Sequence, residues 1–293
     1  MELQEIEYDV TDHVATIALN RPDKMNAGTS RMVGELLKVI DAVDADDGVR
    51  AVILTGRGKA FCAGADLSAG AATFDYDEHS DGDAIGGARV TDVAAPRDGA
   101  GLITLRLFDC RKPVISAVNG AAVGMGVTMT LATDIRLASE AARFGFVFAK
   151  RGIVPEGASS WFLPRLVGVA QAAEWLYTGR VFDADEARRG GLVRSVHPAD
   201  ELLDAARSLA AEIAANAPVS VALTRQMLWR LLGADHPMAA HRVDSRAMYA
   251  TGALPDAREG VTSFLEKRAP EFQGRVSTDL PEVFPDWHDP TFA

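Results

Sequence analysis

Two short apolar runs, residues 51–54 and Val114–Val118, each close in a turn and lead straight into a stretch of small residues. After the first comes Lys59-Ala-Phe-Cys-Ala-Gly-Ala-Asp-Leu67; after the second, Asn119-Gly-Ala-Ala-Val-Gly-Met-Gly-Val127. Gly and Ala at a strand end let the backbone approach another group closely. The first segment fits a tight strand-to-loop turn as well as a ligand-facing one. The second runs into a helix from about Met125, whose first N–H groups lack helical acceptors and suit an oxyanion. Two such turns together, each offering an N–H, would form an oxyanion hole.

The surrounding pattern alternates strands with helical stretches, which predicts an α/β chain with crossover connections. Residues 6–10 and 13–19 are β-rich and flank Thr11-Asp12, predicting an opening hairpin. Asn20-Arg21-Pro22 breaks the second strand, and Met32, Val33, Leu36, Leu37, Ile40 and Val43 recur at helical spacing over 30–43. Residues 135–138 read as a further strand. Residues 67–101 are rich in Gly, Asp and Ala without a period, and a loop that long is usually functional or mobile, a candidate to close over a substrate. From Ser159 the chain reads as mostly helical, with 200–214 and 218–232 the clearest helices. Pro270, Pro281, Pro285 and Pro290 predict an irregular tail over 269–293.

Several function classes are excluded. A net charge of −11, from 30 basic and 41 acidic residues, argues against a nucleic-acid surface, and an anionic ligand would need a local basic patch. No apolar run approaches the ~18 residues of a membrane span. The acidic start, MELQEIEYDV, passes directly into a strand pattern, so no secretory or transit segment is expected. Cys62 and Cys110 are too few for a disulfide framework, and neither they nor the histidines have metal-ligand spacing. The expectation is a cytoplasmic protein without a metal. Gly56-Arg-Gly-Lys59 lacks the P-loop spacing, and Gly124-Met-Gly126 has Met129 where a dinucleotide fingerprint needs its third glycine. Without a G-x-S-x-G elbow, Ser159 and Ser160 read as helix-start residues.

One acidic residue stands apart. In Arg151-Gly-Ile-Val-Pro-Glu156-Gly-Ala-Ser-Ser160 a glutamate sits among apolar and small residues. A partly desolvated carboxyl there would have a raised pKa suited to proton transfer near neutral pH. An exposed loop glutamate near a helix start fits the same local sequence.

The two glycine segments together resemble the enoyl-CoA hydratase/isomerase (crotonase) superfamily. The resemblance takes in residues 14–27 (VATIALNRPDKMNA), 52–67 (VILTGRGKAFCAGADL), 112–138 (KPVISAVNGAAVGMGVTMTLATDIRLA), 142–145, 152–168, 178–197 and 259–268 (EGVTSFLEKR). It implies an α/β fold: a spiral core of repeated ββα turns over 1–200 holding the CoA and acyl site, then a C-terminal helical trimerisation region over 201–268. Ala65 and Met125 match the two oxyanion-hole donors through their backbone N–H groups. Ala63, Asp66 and Leu67 match backbone contacts to the CoA adenine and pantetheine, and Phe264 and Lys267 match a segment that reaches the nucleotide end of CoA. The family's lysine after the Ala-Gly-Ala-Asp motif is Ser68 here, which leaves Arg21 and Lys24 as candidates for the 3′-phosphate. The two hydratase glutamates are replaced by Thr128 and Phe148, neither a practical base. Glu156 matches the position where dienoyl-CoA isomerases and related isomerases carry an acidic base. Thr128, Phe148 and Trp161 are acyl-pocket candidates, with Phe146 and Phe162 beside them; core packing fits these aromatics equally well.

The resemblance thus implies an acyl-CoA enzyme with CoA as part of its substrate and no tightly bound cofactor. A single carboxylate, Glu156, suits a proton shuttle, so double-bond isomerisation is the leading expectation. Alternatives are enoyl-CoA hydration through a Glu156-positioned water, other thioester chemistry such as hydrolysis or C–C cleavage, and non-catalytic acyl-CoA binding. The expected assembly is a homotrimer or a dimer of trimers, with no nucleic-acid or membrane partner.

Overall fold

The computed structural model describes residues 1–75 and 97–292. Most of the aperiodic stretch, residues 76–96, lies outside the described residues, and the expectation of a closing loop falls there. Strands β1 (Ile6–Thr11) and β2 (Val14–Leu19) pair antiparallel around Asp12 and His13, both at positive φ. The turn therefore sits one residue later than Thr11-Asp12. Two central residues with φ > 0 match the twist of the flanking strands. Helix α1 (Ser30–Ala45) starts at Thr29, whose side chain accepts the Met32 N–H at 3.0 Å.

From there each turn of the chain places one strand in each of two sheets and then a helix. The first turn is β3 (Ala51–Gly56), β4 (Ala60–Cys62) and α2 (Gly99–Asp109). The second is β5 (Val114–Val118), β6 (Ala121–Val123) and α3 (Met125–Thr128), which continues as a 3-10 helix over Met129–Ala132. The third is β7 (Ile135–Ser139) and β8 (Arg143–Gly145), followed by α4 (Ser159–Val167) and α5 (Val169–Thr178). β9 (Val181–Asp183), α6 (Ala184–Arg189) and β10 (Ser195–His197) close the core. The large sheet runs β1-β2-β3-β5-β7-β10 and the small one β4-β6-β8-β9. This is the ββα spiral the resemblance implied. The central strands β3 and β5 are covered on both faces, which is why they read as unbroken apolar runs.

Helix α7 (Leu202–Ala214) lies on the large sheet, setting Leu202, Ala206, Ala210 and Ala214 against Ala51, Ile53, Ile115, Ala117 and Leu137. Alanine at every fourth position lets helix and sheet come close. Then follow α8 (Pro218–Arg230), α9 (Pro237–Gly252), α10 (Pro255–Glu266) and, within the proline-rich tail, the single turn α11 (Val276–Asp279). The prolines rule out a long helix but not docking. Val276 and Val283 are buried, and Asp256 accepts the Gln273 and Gly274 N–H groups at 2.9 and 3.0 Å. Among the described residues no helix is long and apolar enough to cross a membrane.

Arg225 ties α8 to the spiral. Its buried guanidinium pairs with Asp134 at 2.9 Å and donates to the carbonyls of Leu107, Phe108 and Cys110 at the end of α2. Arg225→Ala removes the donors to three carbonyls and leaves the half-buried Asp134 carboxylate with only the Val114 N–H and the Trp229 indole, and is expected to cost about 2–3 kcal/mol in urea unfolding. A loss below about 1 kcal/mol would show that the contact carries no stability.

Candidate active site

Parallel pairing of β4 with β6, Ala60 opposite Ala121, sets the two small-residue turns side by side. Gly64 and Gly124 take φ of 112° and 55°, which side chains rarely tolerate. A Cβ on Gly124 would lie 3.7 Å from the Gly64 Cα, so the turns touch. Gly28 bridges the first turn by donating to the Gly64 carbonyl and accepting from the Asp66 N–H, at 2.8 and 2.9 Å. Those bonds pass over the Ala65 N–H. In the second turn Gly124 N–H goes to the Gly145 carbonyl, and Val127 and Thr128 both donate to Gly124 O. Among the described residues neither the Ala65 nor the Met125 N–H has an acceptor. α3 is only one α-turn long before it tightens, so a long helix dipole does not stand behind Met125. The free donor comes from the turn.

Glu156 reaches this place from a loop. Positive φ at Gly157 and Ala158 reverses the chain, and Ser159 Oγ donates to the Glu156 carbonyl at 2.6 Å. The Thr128 hydroxyl donates to Glu156 Oε1 at 2.6 Å, bringing the carboxyl to the second small-residue turn. The sequence offered Thr128 as a replaced hydratase position and a pocket residue; in the fold its hydroxyl holds the Glu156 carboxyl. Glu156 is half-buried at its surface but densely surrounded, and burial pushes its pKa up to about 8. The Thr128 hydrogen bond opposes that rise, while the neighbouring Asp98 carboxylate adds to it by charge and by hydrogen bonding. Burial, with a smaller push from the Glu156 charge, holds the Cys62 thiol up at about 11, which places Cys62 in the same neighbourhood.

Asp98 was not singled out from the sequence. Its signal was present: an Asp three residues before Gly101 and just ahead of the apolar Leu102 and Ile103, the spacing of an N-cap. Its side chain accepts the Gly101 N–H and starts α2 at Gly99, inside the stretch read as loop. Gly99 and Gly101 lower helix propensity and obscured the start.

The other predicted positions divide. Ala63 and Leu67 are exposed, and Ala63 N–H goes to Met25 O at 3.0 Å. Asp66 is paired with Arg21 at 2.9 Å, and Arg21 also meets Glu5 at 3.2 Å. Hydrogen bonds from the Ser68 N–H and from Arg21 hold the Asp66 carboxyl below its usual range. Arg21 is thus committed to carboxylates, whereas Lys24 is exposed with no ion-pair partner among the described residues. Phe264 is 80% exposed on α10, and Lys267 ends that helix in a left-handed conformation. Phe148 is buried. Trp161 is half-buried, packs edge-on to Phe162 at 4.8 Å and lies under Arg165. Phe146 stacks on Trp175 and Phe182 and belongs to the core.

The family model described as enoyl-CoA hydratase/isomerase matches residues 9–275. The chain belongs to the enoyl-CoA hydratase/isomerase family. It is 41% identical over 264 residues to the enoyl-CoA hydratase ACTT3 of Alternaria alternata, covering 89% of this chain and 83% of that one. It is 33% identical over 272 residues to the 1,2-epoxyphenylacetyl-CoA isomerase of Escherichia coli K12, covering 89% and 95%. The crystal structure of an enoyl-CoA hydratase from Bacillus anthracis superposes with a TM-score of 0.82 at 33% identity, over 93% of this chain and 100% of that one. The chain is therefore a crotonase-superfamily enzyme, and members of the family act on CoA thioesters.

Proposed function

We propose that this enoyl-CoA hydratase/isomerase family member shifts the double bond of an enoyl-CoA, with Glu156 as its acid/base and Ala65 and Met125 as its oxyanion donors. The observation carrying this reading is the Glu156 carboxyl on Thr128, in the turn of one of two backbone N–H groups that have no acceptor among the described residues. The thioester oxygen takes those two hydrogen bonds. Glu156 removes a proton from one carbon of the allylic system, the dienolate charge rests on the held oxygen, and the same carboxylic acid returns the proton at the other end. Donors fixed where the charge develops contribute about 3–4 kcal/mol each to lowering the barrier. CoA lies along Ala63, Asp66 and Leu67, with Lys24 rather than the committed Arg21 facing its phosphates. Phe264 and Lys267 serve the nucleotide end, and exposed Met248, Tyr249, Phe264 and Leu265 fit a homotrimer contact.

Hydration is the second reading. It is favoured by the contact with Thr128, which brings the one carboxyl to the position of a hydratase glutamate, and by relatives named hydratases. Turnover of a panel of 2-enoyl- and 3-enoyl-CoAs in heavy water separates the two. Isomerisation gives a positional isomer with no water added, deuterated at the α or γ carbon only to the extent that the proton held by Glu156 exchanges with solvent. A 3-hydroxyacyl-CoA as the sole product would replace isomerisation with hydration, and tight binding without turnover would leave a binding protein.

A further inference from the structure

We propose that Asp98 is a positioning residue for Glu156, pinning the turn that carries it and setting a fixed negative charge beside its carboxyl. This rests on the role proposed for Glu156 and deepens it.

The geometry is specific. Asp98 Oδ1 accepts two backbone N–H groups, from Gly101 at 2.6 Å and from Gly157 at 3.0 Å. The first fixes Asp98 at the start of the 11-residue helix α2. The second belongs to the residue after Glu156, so one oxygen joins α2 to the Glu156 turn. The Asp98 side chain is also within hydrogen-bonding reach of the Glu156 carboxyl, whose Oε1 is already engaged by Thr128. Two neighbouring carboxyls cannot both ionise cheaply, so the Asp98 charge favours the protonated form of Glu156.

Which member carries a proton follows from what faces each. Asp98 has two N–H donors and the first turn of α2, all of which favour an anion. Glu156 has one hydroxyl donor and the Cys62 thiol, which burial keeps neutral. Among the described residues no cation is set against Glu156. The proton therefore rests on Glu156, with Asp98 as the fixed charge. Pairs of acids driven apart by their surroundings are how one site assigns acid and base roles. Asp98 thereby controls the pH at which Glu156 turns from acid into base.

Asp98→Asn tests this, because the amide keeps the oxygen that accepts both N–H groups and removes only the charge. With carboxyl-¹³C-labelled glutamate, and Glu156→Gln to assign the resonance, the Glu156 midpoint is expected to fall by about half a pH unit to one unit. The acid limb of the kcat/KM profile should move down by the same amount. Should Asp98→Asn fold poorly, Asp98→Ser takes its place: the hydroxyl oxygen can still cap α2, the charge is gone, and the Glu156 midpoint must fall in the same way. An unmoved midpoint in either experiment overturns the proposal, as does a uniform loss of kcat/KM with the midpoint in place. The NMR titration does not depend on turnover. Activity surviving in Glu156→Gln would count against the function proposed for Glu156 and leave the coupling to be judged separately.

Discussion

Glu156→Gln is expected to lower kcat/KM toward every enoyl-CoA by about a thousandfold while acyl-CoA binding stays within a few-fold, the scale of losing a positioned acid/base. Gln retains the shape and still accepts the Thr128 hydroxyl, so only the proton function is removed. The unmodified enzyme should show the matching pH dependence. As a base Glu156 must be ionised, and with a pKa near 8 its kcat/KM rises about tenfold per unit toward a plateau above that value. Stability runs the other way. The folded pKa of about 8 lies above the unfolded value of 4.5, so the folded state prefers the neutral acid. That preference is fully present below 4.5 and is lost as pH rises through 8. Glu156→Gln stays neutral throughout, so in urea unfolding it should gain about 1–3 kcal/mol at pH 8 and little at pH 5. Unchanged turnover in this variant would sink the single-acid mechanism.

The second large effect is at Gly126. A Cβ there would meet the Cys62 carbonyl oxygen at 2.0 Å, and that oxygen is fixed backbone at the end of β4. Gly126→Ala must push the start of α3 away from β4 and carry the Met125 N–H with it. Displacing one oxyanion donor is worth about a hundredfold to a thousandfold in kcat. Overpacking adds about 1–3 kcal/mol of destabilisation. Gly34→Ala is the control: its Cβ would meet nothing within 4 Å on α1, so it should leave kcat alone and stabilise by about 0.5–1 kcal/mol. If Gly126→Ala keeps full kcat, Met125 is not an oxyanion donor.

Much of the site was legible because its parts are local. The apolar runs that became β3 and β5, and the small residues after them, are consecutive in sequence, and what they do depends on backbone shape. Glu156 was visible as an isolated acid between Pro155 and Gly157. What could not be read is who meets it. Thr128 looked like a lost catalytic position and is a hydrogen-bond donor 28 residues away. Asp98 is 59 residues from the Gly157 N–H it accepts. Arg225 reaches carbonyls more than 100 residues earlier, at the end of a helix whose glycines hid it from periodicity. Arg21 looked free for a phosphate until Asp66 and Glu5 closed on it.

The sequence by itself therefore determined the two small-residue turns, because Gly64 and Gly124 take φ angles that side chains rarely tolerate and the Ala beside them allows close approach. It also determined the α/β alternation, because burial on both faces leaves an unbroken apolar signature. Tertiary structure alone decided the electrostatics of Glu156. A carboxyl's pKa is set by burial and by the charges and donors around it, and here those come from α2, α3 and β4, elements joined only when the spiral closes.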